Sequence, residues 1–393
     1  MVRLKTNVLP MDTNLKTDSE EIGIRNIADY IGRVEQYIQA RSEKQYLAVF
    51  RGEPRMYPTP CRPGLFRNDA LTKNKFFEKN LFDAMRQSKL TGETRYLDNA
   101  IDAQHGEFPS RLLDVSYNCL IALYFAVTPY YHQEEDESDG EDGMVFVFFI
   151  DEIFSPSAEN INDNYNAIIN RDREWTRSRL FCKNHKFIDH IKLGPRIIAQ
   201  QGAFILFQGD MAEDLPKGMY YGIRIPGKSK KILREQLKRL FGIHTGSIYP
   251  ETINLVKDLT HKSGWINTRP YSCENELRYA LRQMERELDY YLDYSVSQAR
   301  IRNGASESGE AYDERLRNVL GQVERVINGY REGLIYFVRD RRTWKEEGIE
   351  ESRLRAVLSE YNGQLREFSD RMAFHGCGAL AWDALRIEGD PER

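Results

Sequence analysis

The chain has 393 residues, enough for two or three domains, and 41% of them are hydrophobic, so a packed core is available. Its 56 basic and 60 acidic residues leave a net charge of −4, which excludes a global electrostatic pull toward nucleic acid or an anionic membrane. No apolar run approaches the roughly 20 residues that span a bilayer, the N-terminus lacks the apolar core of a secretory signal, and five scattered cysteines form no Cys-x-x-Cys pair, so the expectation is a cytoplasmic protein with reduced thiols and no membrane partner.

In chain order, residues 1–23 are polar and read as a flexible N-terminus. Ile24, Ile27, Ile31, Val34 and Ile38 share one face of a helix. Tyr46 to Phe50 reads as a buried strand that ends in Arg51-Gly52-Glu53. A guanidinium at a strand end suits a phosphate or carboxylate held by two parallel hydrogen bonds. Gly52 allows a sharp turn or the close approach of a ligand. Four prolines make residues 54–64 an ordered loop. Phe76 to Met85 reads as a helix, and Asn118 to Val127 as a buried helix after a turn. Residues 133–143 form an acidic surface loop. Met144 to Ile150 is apolar throughout, which predicts a strand covered on both faces.

Further strands are expected at Arg196–Ala199, Ala203–Phe207 and Tyr220–Ile225, then a basic helix over Lys228–Phe241 and another beginning near Pro250. From about Glu274 the texture changes. Apolar residues recur at helical spacing through Leu277–Tyr291, Leu316–Phe337 and Leu354–Phe368, which predicts three long helices packed as a bundle, with a linker at 303–310. The reading is an α+β domain over 24–262, with a mixed small sheet and flanking helices, followed by a helical domain over 270–385.

Two clusters could carry chemistry. The first runs from Gln104-His105 through Ser110-Arg111-Leu112-Leu113-Asp114-Val115-Ser116-Tyr117, immediately before the apolar helix. Asp114 or Ser116 could cap that helix, and its free N–H groups would favour an anion. Alternatively His105, Arg111 and Asp114 could form a buried polar network that braces a loop. The second cluster is Gln200-Gln201 before Gly202-Ala203-Phe204, whose amides would point to opposite faces of a strand. Phosphate-loop, dinucleotide-fingerprint, zinc and nucleophile-elbow motifs are all missing, so no metal site is expected.

These residues resemble the FRG domain, named for the Phe-Arg-Gly that stands here at Phe50-Arg51-Gly52. The family's Gln-His-x-Gly-x-Pro-Thr-Arg-Leu-Leu-Asp-Trp-Thr pattern is similar to Gln104-His105 followed by Pro109 to Ser116, with Val115 in place of tryptophan. Its Ala-Leu-Tyr-Phe-Ala is matched by Ala122 to Ala126, and its Arg-Ile-x-x-Gln-x-Gly-x-Phe by Arg196-Ile197, Gln200, Gly202 and Phe204. The resemblance implies a bacterial protein from a toxin or phage-defence setting. The order of parts also resembles an ADP-ribosyltransferase: an early strand-end arginine, a strand leading into an apolar helix, and a late glutamine-bearing strand. That layout implies NAD as substrate and a macromolecular acceptor, with an antitoxin or chaperone as a further partner. In it Arg51, Asp114, Gln201 and Glu53 would be catalytic. Arg51, Gly52, His105, Arg111, Ser116, Tyr117, Gln200 and Phe204 would bind NAD, with Tyr117 or Phe204 stacked on nicotinamide. A module that binds a nucleotide or phage component without turnover, its helical region contacting a partner, is the alternative from another class.

Overall fold

Apolar runs settle into strands wherever the two sides of a sheet can both be covered, and the longest of them organises the first part of the protein. The computed structural model describes residues 23–41, 46–67, 70–91, 95–105, 108–128, 137–189, 194–210, 215–216, 218–302, 309–339, 345–346, 348–378 and 380–387. The chain divides into two compact units, one to Gly264 and one from Trp265. Most of the expected flexible N-terminus, the greater part of the 303–310 linker and the start of the 133–143 acidic loop lie outside the described residues.

The first unit is α+β. Six described strands form one sheet: β1 Leu47–Glu53, β2 Leu112–Ser116, β3 Gly143–Ile150, β4 Lys186–Ile188, β5 Gly202–Leu206 and β6 Tyr220–Ile225, in the order β4-β5-β2-β1-β3-β6. All five ladders are antiparallel, and an isolated parallel bridge joins Phe154 to Ile188. Strand β3 is buried along its whole length, as its unbroken apolar run predicts.

Helices cover one face of this sheet. The described helices of the first unit are α1 Ile27–Gln39, α2 Ala70–Lys73, α3 Phe77–Gln87, α4 Tyr96–His105, α5 Cys119–Val127, α6 Glu159–Asn170, α7 Arg179–Cys182, α8 Pro195–Gln200, α9 Lys230–Phe241, α10 Thr245–Ile248 and α11 Thr252–Ser263. Phe50, Val145, Val147 and Ile223 pack under α1, α5 and α9, while Leu112, Phe204 and Leu206 pack under α3, α4 and α6. The alternate strand residues Val49, Leu113, Val115, Phe146, Phe148 and Ile205 point the other way and pack against Cys61, Phe66 and Leu215 from loops.

Two expectations are corrected. Arg196–Ala199 is not a strand but the middle of α8, where Pro195 occupies the first turn and Gln201 ends the helix in the left-handed region (φ 45°, ψ 46°). Proline at the first helical position costs no hydrogen bond, and a six-residue helix is too short to show a period. The cap of α5 is neither Asp114 nor Ser116, which lie in β2; Asn118 fills that role by accepting from Leu120 N–H at 2.9 Å.

The second unit contains three long helices: α12 Cys273–Arg302, α13 Gly309–Arg339 and α14 Glu351–Phe374. Leu281, Met284, Leu288, Val323, Leu354, Leu358, Tyr361 and Leu365 form its core. Arg278 pairs with Glu360 and Arg371 with Asp289, each at 2.5 Å, tying α12 to α14. Among the described residues no helix is long and apolar enough to cross a membrane.

Candidate functional site

The site grows from a defect in the sheet. Strands β1 and β2 are registered through one residue pair, Phe50↔Ser116. Beyond it β1 stays paired with β3 through Arg51, Gly52 and Glu53, while β2 stays paired with β5 through Leu112 to Val115. The two strands therefore fork. A cavity of about 240 Å³ fills the fork, lined by Arg51, Gly52 and Glu53 on one prong and Leu112, Leu113 and Asp114 on the other. The loop after β1 closes it with Tyr57, Arg62 and Arg67, and α4 contributes Gln104.

Gly52 is fixed by packing. A Cβ there would collide with the backbone carbonyl of Ala122, so glycine is what lets α5 lie directly on β1. Gly143 does the same for the next strand, where a Cβ would meet the carbonyl of Ala126.

Arg51 and Glu53 are two apart on β1 and share its loop-side face, as strand alternation requires. Arg51 Nε donates to Glu53 Oε1 at 3.1 Å, and Nη1 donates to the Asp114 carbonyl at 2.8 Å, so one guanidinium replaces the missing ladder across the fork. Burial works against its charge, but Glu53, then Cys61 and Asp114, hold its pKa above the ordinary value. Glu53 is 1% exposed. Its Oε1 also accepts from Cys61 N–H at 3.1 Å, with Arg67 Nη2 at 3.6 Å. Its Oε2 is buried and has no hydrogen-bond partner among the described residues. Cys61 adopts a left-handed conformation (φ 53°) that aims its N–H at that carboxylate. Burial and then Glu53 push the Cys61 thiol up, which makes it a poor nucleophile.

The rest of the lining is polar. Arg67 donates through Nε to the Arg62 carbonyl at 2.8 Å and lies 4.9 Å over the Tyr57 ring. Asp114 is exposed, and its Oδ2 accepts from Gln104 Nε2 at 2.8 Å. The Gln104 carbonyl in turn accepts from the Ser110 hydroxyl at 2.6 Å. The cavity is thus lined by three arginines and Glu53 from the loop side of the fork and by Asp114 and Gln104 from the helix side, an arrangement suited to a phosphate-bearing ligand that also offers hydrogen-bond donors.

Arg51, Gly52, Glu53 and Asp114 line one cavity, and the other candidates whose side chains are described lie outside it. Arg111 is buried away from the cavity: Nε pairs with Glu78 Oε2 at 2.7 Å, Nη1 donates to the Phe207 and Gly209 carbonyls, and Tyr165 adds its hydroxyl to Glu78 at 2.8 Å. Ser116 donates to the Gln200 carbonyl at 2.7 Å, and Tyr117 N–H donates to the Gln201 carbonyl at 2.9 Å. The two glutamines therefore brace the turn beyond β2, and neither amide lines the cavity. The Tyr117 hydroxyl donates to Asp189 at 2.7 Å and its ring packs edge-on to Phe187. Phe204 is buried in the helix-side core. These aromatics are core and turn residues, unavailable for stacking on a ligand in the fork. His105 ends α4, and its side chain lies outside the described residues.

Sequence reasoning placed Gln104 and Ser110 in its first cluster without giving either a role, and it missed Tyr57, Arg62 and Arg67. One signal was present: Arg55, Arg62 and Arg67 are concentrated in a loop stiffened by four prolines, directly after the arginine strand.

Residues 46–136 match the family model of the FRG domain. This segment is an FRG domain. It begins at the residue before β1, includes both prongs of the fork and α5, and ends before β3, so every cavity residue lies within it. No curated protein and no solved structure matches the chain.

Proposed function

We propose that the FRG domain of this protein binds NAD at the β1–β2 fork and transfers its ADP-ribose to a macromolecular acceptor, acting in the cytoplasm as a bacterial toxin or defence effector. The observation that carries this reading is the convergence of Arg51, Arg62 and Arg67 with Glu53 and Asp114 on one cavity. At about 240 Å³ the cavity is smaller than the ~300–1,000 Å³ typical of whole-ligand sites, so it would seat the diphosphate and one ribose while the remainder lies across the rim.

In this reading the arginines hold the diphosphate. The bond between ribose C1′ and the nicotinamide nitrogen breaks, and nicotinamide leaves with the electron pair. A carboxylate stabilises the positive charge that builds on the ribose. The acceptor's nucleophile then bonds to C1′ and gives up its proton to a carboxylate base. Asp114, exposed at the rim, is the base. Glu53, buried beside Arg51, is the electrostatic partner. Gln201 and Phe204 have no part in it, since neither lines the cavity.

A second reading, ligand binding without turnover, is favoured by one observation: Glu53 is already engaged by Arg51, Arg67 and Cys61 N–H, and so holds the fork together as much as it faces it. Incubating the full chain with labelled NAD and lysate separates the two. Transfer predicts free nicotinamide and a labelled macromolecule, with activity lowered about 10- to 100-fold in Arg51→Ala, the range for losing a charged hydrogen-bonding group. Tight NAD binding with no nicotinamide released would leave the binding reading standing.

A further inference from the structure

An amide wedged between a hydroxyl and a carboxylate has one workable orientation. A carboxylate only accepts, so Gln104 must turn Nε2 to Asp114 Oδ2, leaving Oε1 for the Ser110 hydroxyl. The Ser110 oxygen is itself occupied, accepting Leu112 N–H at 3.1 Å, so its proton is committed to Gln104. The chain Leu112 N–H to Ser110 to Gln104 to Asp114 runs in one direction, and each link strengthens the next. Its root is rigid, because Ser110 is fully buried and Leu112 is a strand residue in the core. Its tip is an exposed carboxylate in the cavity wall.

The strand position of Asp114 is set separately, by Arg51 Nη1 on its carbonyl at 2.8 Å. Backbone and side chain are therefore fixed by different partners. Oδ2 is taken by Gln104, and Oδ1 makes no hydrogen bond among the described residues. Asp114 alternates with Leu113 and Val115 along β2, so its carboxylate lies on the helix side of the fork beside Gln104, while Arg62 and Arg67 come from the loop side, and the cavity touches both.

We propose that Ser110 and Gln104 are positioning residues: they hold Asp114 so that Oδ1 accepts a sugar hydroxyl of a ligand whose phosphates lie on Arg62 and Arg67. The ligand class is then a ribosyl phosphate ester, not a simple polyphosphate. The inference rests on the fork being the nucleotide site proposed above.

The test measures Kd for two probes, ADP-ribose and inorganic pyrophosphate, with the full chain and three variants. Pyrophosphate meets the arginines but has no hydroxyl for Asp114. Gln104→Met keeps the side chain's bulk and removes the donor. It is expected to weaken ADP-ribose about tenfold, the size of one lost hydrogen bond to a charged group, and to leave pyrophosphate within about twofold. Ser110→Ala does the same, and Ser110→Thr, which keeps the hydroxyl, restores wild-type discrimination. If Ser110→Ala does not fold, Gln104→Met carries the comparison alone, since Gln104 is only half-buried. Equal weakening of both probes, or no weakening of either, overturns the positioning role and leaves the nucleotide site intact. A wild-type chain that binds pyrophosphate as tightly as ADP-ribose overturns the sugar-hydroxyl contact. A wild-type chain that binds neither removes this inference together with the proposed function.

Discussion

The Arg-Leu-Leu-Asp segment contains an arginine that sequence alone would place at the ligand, and its burial makes the opposite prediction. Arg111 is 2% exposed and Glu78 2%, with Tyr165 and two backbone carbonyls completing the cluster. The cluster joins β2 to α3, α6 and the chain leaving β5. In Arg111→Met the Glu78 carboxylate stays buried with only the Tyr165 hydroxyl at 2.8 Å and the backbone N–H of residue 111 at 3.4 Å as donors. Breaking such a pair costs about 3–5 kcal/mol. At about 2–4 °C per kcal/mol for a unit of this size, the melting temperature should fall by about 6–20 °C. The double variant Arg111→Met/Glu78→Met removes both charges and should recover part of that loss. Recovery stays partial because the Tyr165 hydroxyl and the carbonyls of Phe207 and Gly209 remain unpaired. Thermal unfolding followed by circular dichroism, with ADP-ribose binding measured below the transition, checks both parts. A variant that melts within 2 °C of wild type and has lost ADP-ribose binding would refute the structural assignment and return Arg111 to the site.

Two contrasts follow from the same geometry. Gly52→Ala forces a methyl group into the Ala122 carbonyl and should lower stability by at least the ~1–3 kcal/mol of an overpacked core, whereas Gly32→Ala on the exposed face of α1, with open space around it, should raise stability by about 0.5–1 kcal/mol; chemical denaturation of both variants measures the difference. Alkaline pH should weaken each unit separately. Burial, outweighing hydrogen bonds from Thr245 and Thr128, pushes Tyr124 up to about 12, and burial pushes Tyr361 up to about 12 against the pull of Arg331. A raised folded-state pKa means stability fully present below the unfolded value near 10 and lost as pH rises through about 12, so the unfolding free energy should decline across that window. A flat profile from pH 9 to 12 would contradict the burial of these phenols.

The elements read correctly from the sequence are those whose evidence is local. The unbroken apolar run of β3, the apolar α5 and the three helices of the second unit each declare themselves within one window. Helix α8 misleads because Ile197-Ile198 after Gly194-Pro195 has the composition of a strand, and six residues give no period to outvote it. The paired aromatics mislead for a different reason: Tyr117 and Phe204 stand beside polar motif residues in sequence, but their strand and turn positions turn them toward core partners contributed by β4 and the helices. What separates the two motif arginines is likewise legible at one and hidden at the other. Arg51 and Glu53 are two apart, and since β1 runs on past the apolar run to Glu53, period two puts them on one face, where they pair. The acid that claims Arg111 is 33 residues away on α3, across a topology no local pattern encodes. The fork has the same origin. It exists because β1 follows β3 and β2 follows β5 past a single shared register pair, a choice made between ladders and not within either strand. In this chain the FRG motif therefore supplies residues of both kinds, and the strand pairing decides which of them line the fork and which hold the wall behind it.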